Sequence, residues 1–144
     1  MDLELIFQIC AWIAMAGWLA LLAAPLARDN LVQGARIAAL ILCAAYFAQY
    51  FTITQPVEGA SFSTLAGVTL LFSKAGNVML GWTHYLAFDL FIGAWEIEDA
   101  GKQGIKHWLL VPILALTLML GPIGLLVYFI VRTLKMRSAK GDVA

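Results

Sequence analysis

Charge is scarce in this 144-residue sequence: Asp, Glu, Lys and Arg make up 12% of it, nine residues of each sign. A soluble domain carries about twice that share. So little charge cannot clothe a surface in water, which excludes a cytosolic enzyme and a disordered tail. The even balance of signs leaves no basic excess, so the reading is no nucleic-acid partner. Cysteine is scarce too. Cys10 and Cys43 stand alone, with no CxxC or CxxH spacing, which excludes a disulfide scaffold and gives no metal site. Both read as apolar filler. There is no Pro/Ser-rich linker and no internal repeat, so residues 1–144 read as one domain.

The sequence is rich in apolar residues, 62% of the chain, with a mean hydropathy of +0.88. A helix needs about 20 apolar residues to cross a hydrocarbon core. Four stretches qualify, at about 5–27, 37–55, 75–96 and 108–131. The fold class expected is therefore an all-α membrane protein with four transmembrane helices. The acidic start, Asp2 and Glu4, is unlike the basic start of a signal peptide, so the first stretch is expected to stay in the protein. Between the second and third spans, residues of about 61–73 are apolar but too few to cross. They predict a short interfacial helix capped by Ser61 or Ser63. Five crossings is the alternative. With four crossings, Lys74, Arg132, Lys135, Arg137 and Lys140 fall on one side and Arg28, Arg36, Lys102 and Lys106 on the other. The positive-inside rule then leans only slightly, towards both termini in the cytoplasm.

In lipid the informative residues are the ionisable ones. Asp89 lies near the middle of the third span and His84 five residues before it, about 140° round the helix and ~7.5 Å away in height. Each heads a stripe at spacings of three and four. Asn77, Gly81, His84, Phe88, Phe91 and Trp95 form one; Trp82, Tyr85, Asp89, Gly93 and Glu96, continuing to Asp99, form the other. Facing stripes are offered by Tyr46, Gln49, Tyr50 and Ile53 in the second span, and by Thr117, Gly121, Gly124, Tyr128 and Arg132 in the fourth. Pro122 is expected to kink that fourth helix. A polar group in such a place can equally be a tie between helices, worth about 0.6 kcal/mol. The carboxylates Glu96, Glu98 and Asp99 could hold a divalent cation but lack the oxygen spacing of an EF-hand, and read as a solvated helix end. No GxSxG motif is present and neither cysteine neighbours a histidine, so nucleophilic catalysis has no support.

The run Gly81-Trp82-Thr83-His84-Tyr85-Leu86-Ala87-Phe88-Asp89-Leu90-Phe91-Ile92-Gly93, with Asp99-Ala100 and Gly121-Pro122-Ile123-Gly124-Leu125-Leu126 after it, resembles the abscisic-acid-deficient-4-like family of small four-helix membrane proteins. Plant members of that family are needed to make neoxanthin from violaxanthin. The segment from Phe62 to Phe72 is also similar, whereas Ala94 stands where members often carry arginine. The sequence carries no plastid transit peptide, so the resemblance implies a bacterial-type member in the inner membrane.

The implied reaction turns a 5,6-epoxide into an allene with a tertiary hydroxyl. It is redox-neutral and needs no cofactor, only an acid for the epoxide oxygen and a base for the adjacent polyene carbon. His84 and Asp89 are the one titratable pair inside the apolar zone, and surroundings that disfavour charge on either give Asp89 the acid's part and His84 the base's. Trp82, Tyr85, Phe88, Phe91 and Trp95 would wall a polyene, with Asn77, Gln49 and Tyr128 lining the substrate site. The expected partner is a membrane lipid or carotenoid, with a homo-oligomer or a larger membrane complex left open. The rival readings are a non-catalytic carotenoid- or lipid-binding protein or accessory subunit, and a proton or ion conductor through the His84–Asp89 region.

Overall fold

The computed structural model describes residues 2–141, with side chains as far as Arg137; Lys140, counted among the C-terminal cations, lies outside those side chains. Among the described residues all regular structure is helical. Helix α1 spans Leu3–Leu22, and the Asp2 carboxylate caps it by accepting the amides of Glu4 and Leu5 at 2.9 and 3.3 Å. A 3-10 turn at Ala24–Leu26, containing Pro25, ends it and opens α2, Arg28–Thr52. At 1.5 Å per residue these helices are ~30 and ~37 Å long. Among the described residues, α1 and α2 are the two helices long and apolar enough to cross a membrane.

Helix α3, Leu65–Leu71, is shorter than the expected 61–73. Its cap is Thr64 rather than Ser61 or Ser63, because the Thr64 hydroxyl is the one that reaches the Gly67 amide, at 3.0 Å. Seven residues rise only ~10 Å, so the segment supplies no fifth crossing. Helix α4, Ala75–Lys102, runs six residues beyond its predicted end and carries Asp89, Glu96, Glu98 and Asp99 along its second half.

The last apolar stretch departs most from expectation. In place of one kinked helix over 108–131 there are two, α5 at His107–Leu120 and α6 at Pro122–Gly141. Gly124 packs so closely on α5 that a Cβ there would sit 2.2 Å from the Thr117 backbone nitrogen. In a continuous helix, residues seven apart are ~10.5 Å apart, so the chain doubles back on itself. Gly121 makes the reversal at φ +20°, ψ −82°, a conformation that side-chain-bearing residues rarely adopt. Pro122 follows at the first position of α6, where its missing N–H costs nothing.

Helices α1, α2 and α4 pack against one another, and the α5–α6 hairpin lies on the other flank of α4. Leu90 fills the notch at Gly17, and the Trp18 ring fills the notch at Gly93. Close approach through small residues is how helices pack without a hydrophobic drive between them. At one end of the bundle, Leu3, Glu4 and Phe7 of α1 meet Ala75, Val78 and Trp82 of α4. At the other end the His107 ring bonds the Leu22 carbonyl at 3.1 Å, Arg28 lies over Gly101, and Arg132 of α6 reaches Asp99. The start of α1 and the second half of α6 therefore lie at opposite ends, not on the one side that four straight spans imply.

Candidate functional site

The two polar stripes of α4 face different neighbours. His84 is exposed and stacks on Phe88, with ring centroids 4.5 Å apart, and against Tyr46 of α2 at 5.8 Å. Phe88 and Phe91 point outward, each about half exposed. Asp89 turns the other way, onto the reversal between α5 and α6: a Cβ on Gly121 would lie 2.8 and 3.0 Å from its two carboxyl oxygens. His84 and Asp89 thus flank α4 on separate sides. Five residues leave them about 140° apart, and no neighbouring helix bends α4 to bring them together.

The hairpin tip gives Asp89 its surroundings. One turn earlier, Tyr85 donates its hydroxyl to the Leu118 carbonyl at 2.7 Å, closing one of the last free carbonyls of α5. The same hydroxyl lies within reach of Asp89. The carboxylate faces Gly121, just ahead of the first turn of α6, where unpaired amides and the helix dipole favour an acceptor. Among the described residues, its Oδ2 is buried without a hydrogen-bond partner. Tyr85 stacks on Trp82 at 5.3 Å, and Trp82 stacks on Phe7 of α1 at 5.8 Å. Phe7 and Trp82 wall an open cleft of about 580 Å³ with Leu3, Val78 and Met79. An aromatic slab thus runs from this cleft to Asp89.

Three other expected site residues are occupied elsewhere. The Asn77 amide accepts from the Gln55 backbone at 2.9 Å and donates to the carbonyls of Gln55 and Leu71 at 3.0 and 2.8 Å, which pins the 53–64 connection and α3 to α4. Buried Gln49 accepts the Thr83 hydroxyl at 2.9 Å and donates to Cys10 Sγ at 3.6 Å, a knot joining α2, α4 and α1. Tyr128 is fully buried and donates to Asp99 at 2.6 Å, beside Arg132, whose Nε donates to the same oxygen at 2.6 Å. Trp95 packs edge-on against Tyr128 at 5.4 Å. Asn77, Gln49 and Tyr128 thus spend their polar groups on protein partners, and of the predicted site residues Trp82 lines the cleft, with Tyr85 stacked behind it and the buried Asp89 oxygen beyond Tyr85.

Glu96 reads differently in the structure than in the sequence. The sequence places it at a solvated helix end, yet it is fully buried, with the Thr117 hydroxyl 3.1 and 3.0 Å from its two oxygens. The signal was present: Glu96 continues the Tyr85–Asp89 stripe, and Thr117 lies on the facing one. Its neighbours diverge. Glu98 pairs with Arg36 and Lys102, which hold its carboxyl below the usual range. Partial burial opposes ionisation of Asp99, but hydrogen bonds from Arg132 and Tyr128 outweigh it and hold this carboxyl below its ordinary value as well. The three carboxylates therefore face three different partners and do not converge on one cation.

The model of the ABA DEFICIENT 4-like family matches residues 5–128, most of the chain. No curated protein and no solved structure matches it.

Proposed function

Because the chain belongs to the ABA4-like family, we propose that it is an integral protein of a bacterial inner membrane that takes up a carotenoid or related isoprenoid lipid and isomerises it by acid–base chemistry without a cofactor. The membrane part of this reading is supported by an inside-out polarity. Trp12, Phe47, Phe51 and Met119 are two-thirds exposed or more, while Gln49, Thr83, Glu96 and Thr117 are buried. In lipid, polar groups turn inward to find partners and apolar ones face out. Three through-going helices, α1, α2 and α4, with a re-entrant α5–α6 hairpin beside them, replace four equal crossings in this proposal. Backbone that turns at membrane depth is tolerated where protein covers it, and Gly121 is buried.

The observation that carries the reading is the slab Phe7–Trp82–Tyr85 leading from the cleft to the unpartnered Asp89 oxygen. Flat rings suit a flat polyene. In its protonated form, the Asp89 carboxyl can give its proton to an epoxide oxygen while its other oxygen takes the proton from the adjacent carbon. The C–O bond opens, the allene forms, and the carboxyl ends as it began. His84, on the far flank, has no part in this step. A second reading, binding without turnover, is favoured by the separation of His84 from Asp89.

The test is a chromatographic and mass-spectrometric inventory of carotenoids and isoprenoids in cells with and without the chain, together with what co-purifies. A product of unchanged mass that vanishes with Asp89→Asn and persists with His84→Ala is the expected result. Loss with both variants would restore His84 as the base. A bound pigment with an unchanged inventory would establish the binding reading, and a protein carrying neither would end both.

A further inference from the structure

The α5–α6 reversal decides where the cations lie. Because α6 runs back alongside α4, Arg132, Lys135 and Arg137 join Arg28, Arg36, Lys102 and Lys106 at the end where α1 stops and α2 begins. The opposite end carries Lys74 beside Asp2, Glu4 and Glu58. Seven described cations against one is a strong bias, whereas straight spans would divide them almost evenly. Positive ends of membrane proteins face the cytoplasmic leaflet, whose surface is negative.

We propose that this end faces the cytoplasmic leaflet, with the start of α1 on the other side, and that the second half of α6 holds an anionic phospholipid there. The site is a shallow recess of about 300 Å³ lined by Phe129, Ile130, Thr133 and Leu134, with Arg137 at its rim. Apolar side chains offer acyl contact and the guanidinium suits a phosphate oxygen, and because the Thr133 hydroxyl already donates to the Phe129 carbonyl at 2.8 Å, Arg137 is the donor that the recess presents. Arg132 is committed to Asp99, whereas Arg137 and Lys135 are exposed and form no ion pair among the described residues. A zwitterionic headgroup neutralises its own phosphate, so the recess selects a lipid of net negative charge. Buried inside a crossing helix these cations would be costly; at the end of a hairpin that stops at the headgroups they bind.

The proposal rests on the membrane reading above, and retention of the full chain in carbonate-washed membranes tests that premise by itself. The proposal is then tested on the purified chain by native mass spectrometry with phosphatidylglycerol against phosphatidylcholine. Expected is preferential retention of phosphatidylglycerol, reduced about fivefold for each cation removed in Lys135→Gln and Arg137→Gln, and kept in Arg137→Lys. Equal retention of the two lipids, or a preference unchanged in the double variant, overturns the site. Labelling single cysteines introduced at Glu4 and Thr133 in intact cells with an impermeant maleimide tests the orientation: Glu4→Cys reacts and Thr133→Cys does not. The reverse pattern, or reaction at both, overturns it.

Discussion

Thr83 carries more of the fold than its size suggests. Its hydroxyl is fully buried and donates to Gln49, and that bond spans the contact between α4 and α2. Replacing it by the near-isosteric valine leaves the Gln49 oxygen without its donor. Thr83→Val should cost about 0.6 kcal/mol, and at most about 1.7. Thermal unfolding in detergent reads this directly, and an unchanged transition would remove the tie from the account. Asp99 makes a different prediction because its shift has a sign. Its folded pKa lies below the ordinary 3.8, so its contribution is complete above that value and fades as pH falls through the depressed one. Stability of the parent chain should therefore fall on acidification below pH ~4. Asp99→Asn should flatten that part of the profile, and an identical acid limb in the variant would show that Asp99 does not anchor α6.

Among the elements, the α5–α6 hairpin depends on two positions without side chains. A methyl at Gly124 meets Thr117 backbone, which cannot rotate out of the way, so the two helices must part. Gly124→Ala should cost about 1–3 kcal/mol, as overpacking does. Gly34 on α2 is the control: nothing lies within 4 Å of a Cβ there, so Gly34→Ala should be neutral or stabilising by up to ~1 kcal/mol. Melting both variants beside the parent separates a specific clash from a general effect of adding a methyl group. Comparable losses in the two would mean that the hairpin does not close as described.

At the scale of the whole molecule, the interior holds both the tightly packed leucines and the polar ties, and the exterior is greasy. Leu42 is fully buried between helices and Leu40, two residues away, is 63% exposed. Leu42→Ala opens a cavity and should cost about 2–5 kcal/mol, whereas Leu40→Ala exchanges lipid contact for lipid contact and should cost little. Equal effects on unfolding in lipid discs would contradict the inside-out arrangement.

The sequence by itself determined the chemical class of the chain and the faces of its helices. Low charge and four apolar stretches set an all-helical, membrane-suited composition, and the stripes Tyr85–Asp89–Glu96–Asp99 and Thr117–Gly121–Tyr128–Arg132 do meet. Periodicity is local, so it can be read along a single helix. Direction is not local. Whether Gly121-Pro122 kinks a helix or reverses it depends on whether Thr117 can accept Gly124 against its backbone and whether α4 offers partners to both arms, and no window of sequence contains that pairing. Tertiary structure therefore decided that Glu96 is buried against Thr117 and that the cations gather at one end, because both follow from how the α5–α6 hairpin folds back on α4, whereas the separate flanks of His84 and Asp89 are set by their spacing along α4.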